Sequence, residues 1–335
     1  MNFINILNHI LRPLEWVVAQ LLTLFHHALV TFGMTAGPSP AWGIAIMCLV
    51  LVIRICLLPL FLSQMRAMQR IQVLQPQIQR IQHKYAARKD PRSKEAMQRE
   101  IMALQQRYNA NPLGSCLPSL IQAPILCSLF YTLQSLPAIA DGNAEPLGGI
   151  DHTMAGDIES SSIFGVRIAD SFGTVASPQS RIIIGVAVAL MCLTLFAIQW
   201  MLIHRNTSKD AMVSPQFRVQ KMTVFVFPAI YVVSGATLPF GVLLYWLTNN
   251  LWNLGQTLCQ LRWFPTPGSA AGERKARRDY EQDNRRRAAA GLPSLEEERA
   301  MAAREEAKAR REREKSAASR TANNTKPHTS PSAQS

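Results

Sequence analysis

One arginine sets the chemical question in this sequence. Residues 41–62, AWGIAIMCLVLVIRICLLPLFL, are apolar for about the length that crosses a bilayer, roughly 20 residues at 1.5 Å rise each. Arg54 is the only charge among them. Counted from Leu62 as one end of the span, Arg54 lies roughly 12 Å along the axis. Half the hydrocarbon thickness is about 15 Å, so Arg54 sits near mid-membrane. A central arginine costs about 2.5–3.5 kcal/mol on insertion scales. Two arrangements offset that cost. The side chain snorkels toward the interface along its apolar stem, or it faces a water-filled cavity, where intramembrane charges usually mark a pathway or a substrate site.

Other chemistries have no support in the residue pattern. There is no G-x-x-x-x-G-K-[ST], no H-E-x-x-H and no G-x-S-x-G, so nothing points to a nucleotide, a catalytic metal or a nucleophilic serine. No catalytic residue, metal ligand or cofactor is assigned. The six cysteines, Cys48, Cys56, Cys116, Cys127, Cys192 and Cys259, lie in or beside apolar runs and read as small packing residues. His26 and His27 are adjacent but have no third ligand nearby.

The elements that must hold Arg54 are several further apolar runs. The net charge of +13 on 335 residues could suggest nucleic acid. The basic residues instead flank apolar segments, and aromatic stacking residues are almost absent from the basic stretches. Mean hydropathy is +0.04, an average over long apolar runs and a charged tail. Spans are expected at 41–62, 115–136 (with Pro118, Gln122 and Pro124), 181–203 (with Gln199 and Trp200), 222–237 (with Pro228) and 239–262. The last carries Tyr245, Trp246, Asn249, Asn250 and Asn253. Residues 1–35 read as an amphipathic helix in the interface, with a weak span over roughly 13–32 as the alternative. No basic leader region or cleavage site is visible at the start.

Between the first two spans, residues 63–110 carry apolar residues at steps of three and four on two segments divided by Asp90-Pro91. They predict a helical hairpin outside the membrane. Asn111-Pro112-Leu113-Gly114 breaks the chain before the next span. The 137–180 loop is acidic, whereas 63–112, 204–221 and the tail are basic. The positive-inside rule then puts the hairpin and the C-terminus in the cytoplasm and the acidic loop outside. Residues 263–335 alternate basic and acidic clusters and read as partial helix and disorder.

The order of these blocks resembles the YidC/Oxa/Alb family of membrane protein insertases, over about residues 10–262. Four pieces carry the resemblance: Arg54 with Pro59 and MQRIQVLQPQIQRIQHKY; NPLGSCLPSLIQAPILCSLFYTL at 111–133; the third span ending AIQWM; and FPAIYVVSGATLPFGVLLYWLTNNLWNLGQ at 227–256. The long charged tail is similar to that of actinobacterial members. The resemblance implies an all-α membrane protein: a five-helix transmembrane bundle with a cytosolic helical hairpin and an N-terminal amphipathic helix. It implies a hydrophilic groove open to cytoplasm and lipid and closed outside. Arg54 matches the groove arginine. Gln122, Gln199 and Trp246 resemble groove-lining positions, with Tyr245 a further candidate. The implied activity is insertion of nascent membrane proteins into the bilayer of the bacterial plasma membrane. It would act as a monomer, alone or with the Sec translocon, with the ribosome reached through the basic tail. No enzymatic step is implied. The competing reading is a small-solute transporter or channel. Transporters usually carry internal repeats, and no repeat is visible here. An intramembrane enzyme is a third reading, without a nucleophile–base pair to support it.

Overall fold

The computed structural model describes residues 3–87, 90–110, 117–213 and 215–324. The breaker at 111–114 and Cys116 lie outside them. The described chain is almost entirely helical: α1 (Phe3–Thr31), α2 (Ala41–Cys56), α3 (Leu58–Tyr85), α4 (Pro91–Arg107), α5 (Leu117–Ala140), α6 (His152–Ser160), α7 (Pro178–Asn206), α8 (Pro215–Thr237), α9 (Phe240–Trp263), α10 (Ala270–Ala289) and α11 (Leu295–Asn324). Two short strands, β1 (Ser162–Ile163) and β2 (Val166–Arg167), form an antiparallel ribbon between α6 and α7. Phe164 and Gly165 close it, both with positive φ (54° and 82°). A two-residue loop with this twist joins antiparallel strands without splaying them.

This is an all-α membrane protein. Leu11–Thr31, Ile121–Ala140, Pro178–Asn206 and Phe217–Thr237 are each long and apolar enough to cross a membrane. The first expected span is not one straight helix. It breaks at Leu57, and α2 and α3 meet at 54°. Pro59, at the start of α3, has no N–H to give and its ring crowds the carbonyl of Ile55, so the helix cannot run through unbent. α9 is long enough to span but too polar to count as apolar. It packs mainly on α2 and α7 and also touches α5, and its outer face leaves Leu251 and Leu258 exposed. The lipid-facing character falls also on α7, where Ile182, Val186, Leu190 and Leu193 are exposed at helical spacing, and on α8, where Phe225, Val232 and Val233 are.

Apart from a small cluster of Ile203 on α7 with Phe217 and Val224 on α8, the buried core fills one end of the bundle. On α2 it stops at Val50. On α9 it runs over Phe240–Tyr245, on α5 over Leu129–Ile139 and on α7 over Ile184–Met191. The 141–177 segment plugs this end as an elbow. Ile163, Val166 and Ile168 are buried in it. Its carbonyls cap α9: the Phe240 N–H donates to Asp170 O at 2.7 Å and the Gly241 N–H to Ile168 O at 2.9 Å. Those N–H groups would otherwise be unpaired at a helix start. α1 docks on the same end, with Leu11, Val18, Ala19, Leu22 and His26 buried among α2, α5 and the elbow. His26 stacks on Trp42 at 3.8 Å. The opposite face of α1 leaves Trp16, Val17 and Leu24 exposed. One buried face and one apolar open face suit a helix on or in the bilayer.

The hairpin forms as the stripes predict. Ile71, Leu74 and Ile78 of α3 meet Ile101 and Leu104 of α4. Asp90 caps α4, its carboxylate accepting the Ser93 N–H at 2.8 Å. The tail departs from the expected partial disorder, since α10 and α11 occupy most of it. Lys275–Asp279, Arg277–Glu281 and Arg310–Glu314 pair at i,i+4, and this alternation supports an exposed helix with no apolar stripe.

Two predictions follow from this packing. A Cβ on Gly241 would stand 2.7 Å from Ile168 Cγ2 and 3.1 Å from Leu133 Cδ1, where α9, α5 and the elbow meet. Gly241→Leu overpacks that junction, at about 1–3 kcal/mol, and should lower the thermal midpoint of the detergent-solubilised chain; an unchanged midpoint would show a slack plug. On the hairpin, Lys84 Nζ binds Glu100 at 2.9 Å, which holds the Glu100 carboxyl below its ordinary value of 4.5 and the Lys84 amine above 10.5. The depressed acid contributes above pH 4.5 and is lost as pH falls through its folded value; the raised base contributes below pH 10.5 and is lost above. The protection of α4 amides, as exchange relative to the intrinsic rate at each pH, should therefore be flat between those limits and fall below the lower one, and Glu100→Gln should remove the acid limb.

Candidate functional site

Below the core, α2, α5 and α9 each turn polar. On α2, Arg54 comes one turn after Val50. On α9, Asn249 comes one turn after Tyr245. On α5, which runs the other way, Gln122 precedes the apolar Leu126 and Leu129. The Arg54 guanidinium donates from Nε to Asn249 Oδ1 at 2.8 Å, and from a terminal nitrogen to the same oxygen. The Gln122 amide donates to the Tyr245 hydroxyl. Arg54 is half-buried and Tyr245 fully so. Asn249 is a neutral acceptor. It orients the guanidinium and leaves its charge standing. Among the described residues Arg54 has no carboxylate partner. The Gln122 carbonyl oxygen is buried with no hydrogen-bond partner, which marks the spot as one that wants a donor, water or substrate.

α9 extends this site. Tyr245, Asn249, Asn253, Gln256 and Gln260 recur at steps of three and four, so they share one face. The last three line a cavity of about 240 Å³ with Gln64 and Gln72 of α3, Gln220 of α8 and Asn206 at the end of α7. Met65, Met68, Leu195 and Ile198 supply its apolar walls. Amide side chains carry both donors and acceptors but no charge, so the cavity can hold water or peptide without imposing a sign. The polar face therefore runs from the buried Tyr245 past Arg54 to an opening beside the hairpin. At the other end the elbow seals it.

The structure brings Arg54, Gln122 and Tyr245 into one polar layer. It places Trp246 and Gln199 differently. Trp246 faces α8, its ring 5.1 Å from Tyr231, and packs against both core clusters. The Tyr231 hydroxyl reaches Asn250 at 3.4 Å on the same side. Trp246 thus ties α8 to α9. Gln199 lies on α7 between Ile198, which lines the amide cavity, and the exposed Trp200. The residue that sequence reasoning passed over is Asn249, the direct partner of Arg54. Its signal was present in the spacing of Tyr245, Asn249, Asn253 and Gln256, where polar residues line up along an otherwise apolar segment. Of the cysteines, Cys48, Cys56, Cys127, Cys192 and Cys259 are all unpaired.

Comparison with known proteins decides the family. The family model described as 60Kd inner membrane protein matches residues 34–266. The chain belongs to the YidC/Oxa/Alb family. A relative from Bifidobacterium longum is 44% identical over 308 residues, covering 91% of each chain, and is named membrane protein insertase YidC. Relatives of the same name from Tropheryma whipplei and Streptomyces avermitilis are 30% and 34% identical, over 82% and 80% of this chain. The chain spans 90% of the former and 61% of the latter. The matched region includes every helix that touches Arg54, Gln122 or the amide cavity, from α2 to α9.

Access to Arg54 can be measured directly. A cysteine at 54, in a chain whose own cysteines are replaced, should react with a membrane-impermeant thiol reagent added on the hairpin side and not on the elbow side. Labelling from the elbow side alone would show that the plug, not the amide cavity, is the open end.

Proposed function

We propose that this chain is a membrane protein insertase that moves nascent membrane proteins from the cytoplasm into the bilayer through the half-hydrated face around Arg54. One observation carries this reading. The Arg54 charge is held in mid-bundle by the neutral Asn249, facing a polar face open at the hairpin end and sealed at the elbow end. The positive-inside pattern puts the hairpin and C-terminus in the cytoplasm and the acidic elbow outside.

The physics needs no nucleotide. A polar N-terminal segment of a substrate enters the amide-lined cavity, where hydration removes part of the cost of leaving water. The uncompensated guanidinium attracts acidic groups in that segment, more strongly than in water because the local dielectric is lower. The membrane potential adds about 2.3 kcal/mol per charge per 100 mV in drawing acidic groups outward. The substrate's apolar helix then leaves sideways into lipid, gaining about 25 cal/mol per Å² of apolar area. The hairpin receives the substrate, and the role is one of binding and release rather than bond chemistry. Cooperation with the Sec translocon and contact of the basic tail with the ribosome extend the same reading. The relatives' names give a solute transporter no support.

The test is insertion of a single-span substrate with an acidic N-terminal tail into liposomes holding this protein alone. Arg54→Ala should lower the inserted fraction at least tenfold, Arg54→Lys should retain most of it, and Asn249→Leu should fall between, since the charge stays but loses its aim. Equal insertion by all four proteins would remove Arg54 from the mechanism.

A further inference from the structure

A second cavity lies away from the Arg54 face, at the base of the hairpin. It is a shallow basin of about 340 Å³ between α3 and the end of α4. Arg66 and Arg70 stand one helical turn apart on α3, with the half-exposed Tyr108 at the end of α4 opposite, the buried Leu74 on the floor, and Gln69, Val73 and Gln77 of α3 completing the lining. Arg70 donates to the Asn109 carbonyl at 3.1 Å, which keeps its guanidinium over the basin. Among the described residues neither arginine has a carboxylate partner. The hairpin's acids are engaged elsewhere, Glu100 with Lys84 and Glu95 with Arg99. Like charges at i,i+4 repel. Two such cations around a concavity favour an anion between them.

Depth selects the anion. The 54° bend after α2 lays α3 oblique to the bundle. With α2 along the membrane normal, α3 descends by about 0.9 Å per residue instead of 1.5. Arg66 and Arg70 then lie about 4 and 7 Å beyond the apolar boundary at Leu62. The headgroup layer is about 5–8 Å thick on each side. A straight helix would have carried Arg70 about 12 Å out, past that layer. The floor is apolar and the rim cationic, with one tyrosine hydroxyl, the mixture that a phosphate on a glycerol backbone presents to a protein. A nucleic acid would call for further aromatic faces, and among the described residues Tyr108 is the only aromatic one lining the basin.

We propose that the basin formed by Arg66, Arg70, Gln77 and Tyr108 binds the headgroup of an anionic phospholipid and pins the hairpin base to the membrane surface. The phosphodiester sits between the two guanidiniums, and the acyl chains run back toward the bilayer along Val73. The cytoplasmic leaflet, where anionic lipid is concentrated, is the one the hairpin meets on the orientation proposed above.

The test uses the full-length chain in neutral detergent, with binding read by native mass spectrometry. Short-chain phosphatidylglycerol should bind at least fivefold tighter than short-chain phosphatidylcholine. Arg66→Gln with Arg70→Gln should erase that preference, at unchanged elution on size exclusion. Arg92→Gln with Arg99→Gln removes the same charge from α4 outside the basin and should leave the preference intact. Equal binding of the two lipids overturns the proposal, as does an equal loss in the control pair. Displacement of phosphatidylglycerol by inorganic phosphate at similar concentration would make this a free-anion site, and displacement by a short oligouridylate a nucleic-acid site; either result also overturns it. No substrate is present, so the outcome is independent of insertion, and a failed insertion assay would leave the lipid result standing.

Discussion

A positive charge in the middle of an apolar span is the constraint from which the rest of this structure follows. Arg54 cannot be packed dry without a cost of several kcal/mol, and no carboxylate among the described residues neutralises it. The bundle answers by leaving a polar-lined cavity open beyond it. Asn249 holds the guanidinium in direction without cancelling its charge. Amide side chains from α3, α8 and α9 line the approach. The charge is thereby kept available, which a salt bridge would have prevented.

Leaving half a bundle open requires the other half to be held firmly. The elbow does this. Its carbonyls cap the first turn of α9, and its apolar residues fill the space between α2, α7 and α9. The small residues Gly43 and Gly241 let it approach closely: a Cβ at either position would collide with Ile163 or Ile168. α1 closes the same end from the side. The packed core and the polar face are separated along the axis of the bundle. The tight half carries the core, and the loose half carries the polar face.

The bend at Leu57 links the two halves to the hairpin. A straight continuation of α2 would project α3 directly away from the bundle. The Pro59 break turns it instead, so that α3 passes the amide cavity with Gln64, Met65 and Met68 before reaching α4. On the proposal above, the same turn keeps Arg66 and Arg70 near the membrane surface. Gln69 fixes the turn from outside by donating to the Phe264 carbonyl at 2.6 Å, beyond the end of α9.

The sequence by itself determined the class of protein, the apolar runs, the amphipathic stripes and the charge set inside one of those runs. Apolar runs and amphipathic stripes are local patterns, and a charge inside an apolar run is visible wherever the run goes. Arg54, Gln122 and Tyr245 could each be named because each interrupts such a run. The tertiary structure decided what those residues touch. Asn249 becomes the partner of Arg54 because α2 and α9 lie side by side and run the same way, across a separation of nearly 200 residues that no local pattern spans. Trp246 falls on the α8 side because a helix turns about 100° per residue, so adjacent positions, Tyr245 and Trp246, face different neighbours. The break at Leu57 was written in Pro59, yet its angle and its consequence for depth appear only once α3 is laid against the bundle. The tail's helices depend on charge pairs at i,i+4, which composition alone reads as solubility. Local chemistry fixed the parts; the order in which helices pack fixed which half stays dry and which stays open.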